Sequence, residues 1–68
     1  MRLDFVLEDS SIVEKYVPNG YTVPIKGDVV ILEDSKFNKS RYEVISRELK
    51  FSDHLDRTTV KIILKKLL

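Results

Sequence analysis

The 68 residues contain no cysteine and no tryptophan. Without cysteine, neither a disulfide nor a thiolate-held metal can supplement the core, so stability must come from packing or from association with another chain. The same absence fits a reducing compartment. Glycine is limited to Gly20 and Gly27, too few for a glycine-rich phosphate loop. The single histidine, His54, lies in Ser52-Asp53-His54-Leu55-Asp56. Its acidic neighbours would raise its proton affinity, but no second imidazole or thiol accompanies it, and D-H-x-D here reads as a solvated turn. Ser10, Ser11 and Ser40 have no base near them in sequence and no nucleophile elbow around them. Asp28, which follows Gly27, reads as a turn-fixing acceptor of backbone hydrogen bonds rather than a catalytic carboxylate. The expectation is a chain with no catalytic residues, no cofactor and no metal ligands.

Long apolar runs are absent too, and nothing approaches the ~20 residues a spanning helix needs. Met1-Arg2-Leu3-Asp4-Phe5 alternates instead of forming a continuous apolar stretch, unlike a signal peptide. A soluble, cytoplasmic protein with no membrane partner is expected.

What is present describes one small globular domain, residues 1–68. Hydrophobic residues make up 43% and charged residues 34%, enough apolar content to exclude disorder. A chain this short buries only about 60% of the surface it exposes when unfolded, which places its stability near the low end of about 5–15 kcal/mol.

Leu3, Phe5 and Leu7 alternate with Arg2, Asp4 and Glu8, a half-buried strand. Glu8-Asp9-Ser10-Ser11 reads as a turn. Ser11 to Val17 admits two readings. Ser11 and Glu14 have capping-box spacing, so one helical turn over residues 12–16 is an alternative. The β-branched Ile12-Val13 pair, the short length and Pro18 favour a strand hairpinned to the first. Pro18-Asn19-Gly20-Tyr21 is a loop. Val23 to Leu32 (V-P-I-K-G-D-V-V-I-L) then turns at Pro24 and Gly27 into Val29-Val30-Ile31-Leu32. This run is apolar on both faces, as in a central strand or one at a barrel seam. The Tyr42 run is its natural hairpin partner. Glu33 to Lys39 forms the loop between them, its Phe37 either capping the barrel end or standing exposed.

Between Arg41 and Phe51 the apolar pattern changes face. Tyr42 and Val44 share one parity; Ile45, Leu49 and Phe51 share the other. A flat strand cannot bury both sets on one side, so a bulge or strong bend is expected near Val44-Ile45-Ser46. Such a bend lets one strand serve two sheets. After a turn at Ser52 to Arg57, Thr58, Val60, Ile62 and Leu64 alternate with Thr59, Lys61, Ile63 and Lys65 in a well-patterned last strand.

About five short, mainly antiparallel strands, one of them strongly bent, describe an all-β, partly open barrel. The pattern x-P-x-x-G-D-x-V, then Y-x-V, then T-V-x-I-x-L, carried by Pro24, Gly27, Asp28, Val30, Tyr42, Val44, Thr59, Val60, Ile62 and Leu64, resembles small SH3-like barrels. It looks closest to short uncharacterised bacterial and phage-encoded barrel proteins. The resemblance covers about the last two-thirds of the chain and implies a fold rather than an activity. Ribosome-associated and transcription-factor barrels carry a glycine in the loop that meets RNA; the loop at Glu33 to Lys39 has none.

Net charge is +1, unevenly spread: residues 1–34 carry three basic and seven acidic side chains, residues 35–68 nine basic and four acidic. A basic half can meet nucleic acid or an acidic partner. It can equally attract the acidic half within one barrel. Two binding roles remain open. A protein interface, with an unknown partner or a second copy, would use an exposed barrel edge or an apolar patch of Phe51, Ile63, Leu67 and Leu68. A nucleic-acid surface would use Lys36, Phe37, Lys39, Arg41, Arg47 and Lys50, cations for phosphates beside a ring for base stacking. A proline-reading groove would require Tyr16, Tyr21 and Tyr42 to converge. The protein-binding or assembly module is the preferred expectation.

Overall fold

A computed structural model describes residues 1–18, 20–51 and 58–68. Asn19 and the expected Ser52–Arg57 turn with His54 lie outside the described residues. Five strands, β1 (Arg2–Val6), β2 (Ile12–Tyr16), β3 (Val29–Glu33), β4 (Lys39–Phe51) and β5 (Thr58–Lys66), form one sheet in the order β2-β1-β5-β4-β3. It curls into a half-barrel. All pairings are antiparallel except β1 with β5. Residues 12–16 are strand, and no helix forms among the described residues.

The expected hairpins both form, and their turns share one geometry. Ser10 N–H donates to the Leu7 carbonyl with Ser10 at φ 70°, and Phe37 N–H donates to the Asp34 carbonyl with Phe37 at φ 64°. Each is a three-residue loop ending in a left-handed residue. Asp9 stabilises the first by accepting from the Ser11 hydroxyl and N–H. Ser11 thus serves the turn and caps no helix. Asp34 stabilises the second by accepting from Lys36 N–H at 2.8 Å and Asn38 N–H at 3.0 Å.

The expected irregularity in β4 is present. Pairing with β5 runs regularly to Val44↔Leu64, shifts, and resumes at Ser46↔Ile63, leaving Ile45 as the bulge. Directly paired residues share a face. Tyr42 and Val44 therefore point to the concave side before the bulge, and Arg47 and Leu49, opposite Ile62 and Val60, point there after it. β4 pairs with β3 over Lys39–Glu43 and with β5 over Tyr42–Phe51, so that Tyr42 and Glu43 have a neighbour on each side.

The core lies on the concave side: Leu3 and Phe5 from β1, Tyr42 and Val44 from β4, and Val60, Ile62 and Leu64 from β5. Val44, Val60 and Ile62 are 0% exposed. Burying side chains of this size contributes about 1.5–3 kcal/mol each. Val13, Val30 and Leu32 pack against the core from the edge strands. Past the last paired residues of β1 and β5, the Lys66 N–H donates to Glu8 Oε1 at 2.8 Å.

Candidate functional site

The half-barrel is open between β2 and β3, the two end strands of the sheet. Among the described residues, β2 pairs only with β1, and β3 only with β4. Each therefore presents an unpaired backbone edge, and the two edges face each other across a cleft.

The segment Ile25–Asp28 delivers β3 to its place. Asp28 N–H donates to the Ile25 carbonyl at 3.0 Å, and Gly27 holds φ 94°, the left-handed value that a type II turn demands of this position. The Asp28 carboxylate accepts from Ile25 N–H at 2.9 Å, the turn-fixing role expected of it. Gly27 N–H donates to the Val44 carbonyl, and Val44 N–H donates to the Asp28 carbonyl, both at 2.9 Å. The turn is thus clamped to β4 beside the bulge.

The cleft has two compartments. The first, about 480 Å³, is floored by Leu3 and Phe5, with Tyr16, Tyr21 and Pro24 at its mouth and Val29 to Leu32 along one wall. The second, about 380 Å³, lies between Leu7 and Val13 on one side and Leu32, Glu33 and Asp34 on the other. Lys15 and Leu32 line both. Along the cleft, β2 proceeds from the second compartment to the first and β3 from the first to the second, so the facing edges run in opposite directions. A smaller hollow is lined by Leu7, Glu8, Asp9, Tyr42 and Lys66.

Lys15 is the unusual residue here. Its register partner is the buried Leu3, which places Lys15 on the concave face between Val13 and Val17. An inward-pointing charge on an edge strand keeps that edge from pairing indiscriminately. β3 has no such guard. Val29 and Ile31, on its outer face, are 49% and 58% exposed. The run read as central or seam-lining is therefore an edge strand at the seam, its second apolar row facing outward.

The residues singled out from sequence fall in separate places. Lys36, Phe37 and Lys39 sit at the β3–β4 hairpin, with Phe37 80% exposed rather than capping the barrel end, and Lys39 Nζ 3.9 Å from Glu33. Arg41 shares the outer face with its partner Ile31, whereas Arg47 lies on the concave side opposite Ile62, so the bulge separates the two arginines. On the outer face Glu43 stands opposite Lys65 and Glu48 opposite Lys61. Cations are interleaved with carboxylates there. Phe51 pairs with Thr58 at the start of β5. Leu67 bonds to Arg41 beyond the other end, about 30 Å away at ~3.3 Å per residue. Phe51, Ile63, Leu67 and Leu68 therefore form no single patch. Tyr16 and Tyr21 converge on the first compartment, while Tyr42 is buried in the core. Among the described residues, no group of three or more His, Asp or Glu converges on a metal-sized site.

Sequence reasoning overlooked Lys15, Pro24, Val29 and Ile31 as site residues. The available signal was Val13-Lys15-Val17, a lone charge in the inward row of an otherwise apolar alternation. Compared with known family models, curated proteins and solved structures, the chain matches none.

Proposed function

We propose that this domain is a non-catalytic binding module that takes an extended segment of a partner protein into the seam between β2 and β3. The observation that carries the reading is the pair of unpaired, oppositely directed strand edges flanking an apolar-floored cleft. An added strand gains main-chain hydrogen bonds from an edge and places alternate side chains into pockets below it. The β3 edge is the acceptor: it is apolar and unguarded, while β2 carries Lys15. Leu3, Phe5, Val30 and Leu32 form the surface that alternate side chains of the segment would cover. The fold itself, a small curled half-barrel of five strands, by itself assigns no activity.

The test is an amide NMR titration of the labelled protein, first with short synthetic segments of alternating apolar and polar residues, then with mixed short oligonucleotides at low and moderate salt. Shifts confined to β2, β3 and the Tyr21–Asp28 segment, with slowed exchange of β3 amides, support the proposal. Salt-sensitive shifts on Lys36 to Lys50 with oligonucleotides alone would replace it with nucleic-acid binding. Concentration-dependent shifts on β3 without any ligand would replace it with self-association.

A further inference from the structure

Building on the strand-addition reading, we infer that Lys15 selects the partner segment, requiring a carboxylate at the position that faces it and apolar residues two positions to either side. Lys15 lines both compartments of the seam, and its chain neighbours on the same face are the apolar Val13 and Val17. Among the described residues it forms no ion pair.

Among the described residues, the nearby carboxylates make their contacts elsewhere than with Lys15. Asp34 accepts from the backbone of Lys36 and Asn38 and from the Asn38 side chain. Glu33 pairs with Lys39 on the outer face. Glu14, next in the chain, pairs in register with Asp4 on the opposite face. Lys15 is thus an exposed cation on the concave side, between the mainly apolar first compartment and the second, which Glu33, Asp34, Ser35 and Asn38 also line. A strand laid over the seam presents every second side chain inward. The one above Lys15 meets a positive charge, and those two residues away meet Leu3, Phe5, Leu32 and Val13. The fitting occupant is apolar-x-acidic-x-apolar in extended conformation. A cationic residue at the central position meets like charge.

The test uses two soluble peptides of alternating valine and threonine, one with glutamate and one with lysine at the central inward position. Each is titrated into wild type, Lys15→Glu and Lys15→Gln proteins, with amide spectra confirming that each variant keeps its fold. For wild type the glutamate peptide is expected to bind about five- to tenfold more tightly, the range for one partly exposed ion pair against one repulsion. Lys15→Glu reverses the preference, Lys15→Gln abolishes it, and the wild-type preference shrinks with added salt. Equal binding of both peptides at the seam, unchanged in the variants, overturns the role of Lys15 and leaves strand addition standing. Failure of both peptides to shift any seam amide in any of the proteins overturns strand addition itself, and the inference with it.

Discussion

Lys15 of β2 and Leu32 of β3 line the same cleft from opposite walls, on strands that share no backbone hydrogen bond. The strands run in opposite directions, so the direction of the chain does not prevent them from pairing. An exposed lysine on the concave side of an edge strand is a feature that disfavours added strands. Replacing it by Lys15→Val makes the inward row of β2 uniformly apolar and removes the device that keeps the edge apart from other strands. The expected outcome is a higher weight-average mass than wild type at equal concentration in sedimentation equilibrium. A mass unchanged up to millimolar concentration would show that the charge guards nothing.

Burial separates two isoleucines of identical chemistry. Ile62 is 0% exposed in the core and Ile31 is 58% exposed on the outer face of an edge strand. Ile62→Ala is expected to cost about 2–5 kcal/mol, which in so small a domain approaches full unfolding. Ile31→Ala should stay within about 0.5 kcal/mol of wild type. Urea denaturation followed by circular dichroism measures both.

Two residues with positive φ lead to opposite expectations. At Gly27, φ is 94° and an added Cβ would meet nothing within 4 Å. Gly27→Ala is therefore destabilising through backbone strain alone, by about 1–2 kcal/mol. Phe37 already bears that strain at φ 64° while 80% exposed. Phe37→Gly relieves it, and after the added freedom of the unfolded chain a net gain of up to about 1 kcal/mol is expected. A loss of stability in Phe37→Gly would mean that the ring makes a contact that matters.

Acid should act on the β3–β4 turn. The N–H groups of Asn38 and Lys36, in that order of effect, hold the Asp34 carboxyl below the usual carboxylate range. A carboxyl depressed on folding contributes stability above its unfolded pKa, and that contribution is lost as pH falls through the lower folded value. The Asp34 carboxyl resonance should therefore titrate at lower pH than in an unfolded peptide, and the Lys36 and Asn38 amide shifts should follow it. Asp34→Ala should flatten the acid limb of stability against pH. An Asp34 midpoint in the ordinary range would rule this out.

Much of the architecture was legible because period-two patterning depends on few competing influences. The parity conflict between Tyr42-Val44 and Leu49-Phe51 admits one cheap solution, and the bulge at Ile45 is that solution. Gly27 and Asp28 announced their turn because a positive φ and an acceptor side chain are local needs. Other features are not local. The two-sided apolar pattern of Val29 to Leu32 suits burial on both faces or an edge whose second face meets a partner, and one chain's sequence does not distinguish these. The capping-box spacing of Ser11 and Glu14 misleads because Asp9 takes the Ser11 hydroxyl first. The separation of Arg41 from Arg47 depends on where the bulge falls. Lys15 looks like any strand lysine until the register opposite Leu3 is known.

The parallel pairing of β1 with β5 sets Leu3 beside Val60, more than fifty positions apart along the chain. Closing so large a loop costs entropy before any contact repays it, which delays folding. On a ribosome, the β1–β2 hairpin is made first yet has no core to join until β5 has emerged. The β3–β4 hairpin, joined by a three-residue loop, forms without waiting. Leu3 and Phe5 therefore stay without their β5 neighbours Val60 and Ile62 until the last strand of the domain is made.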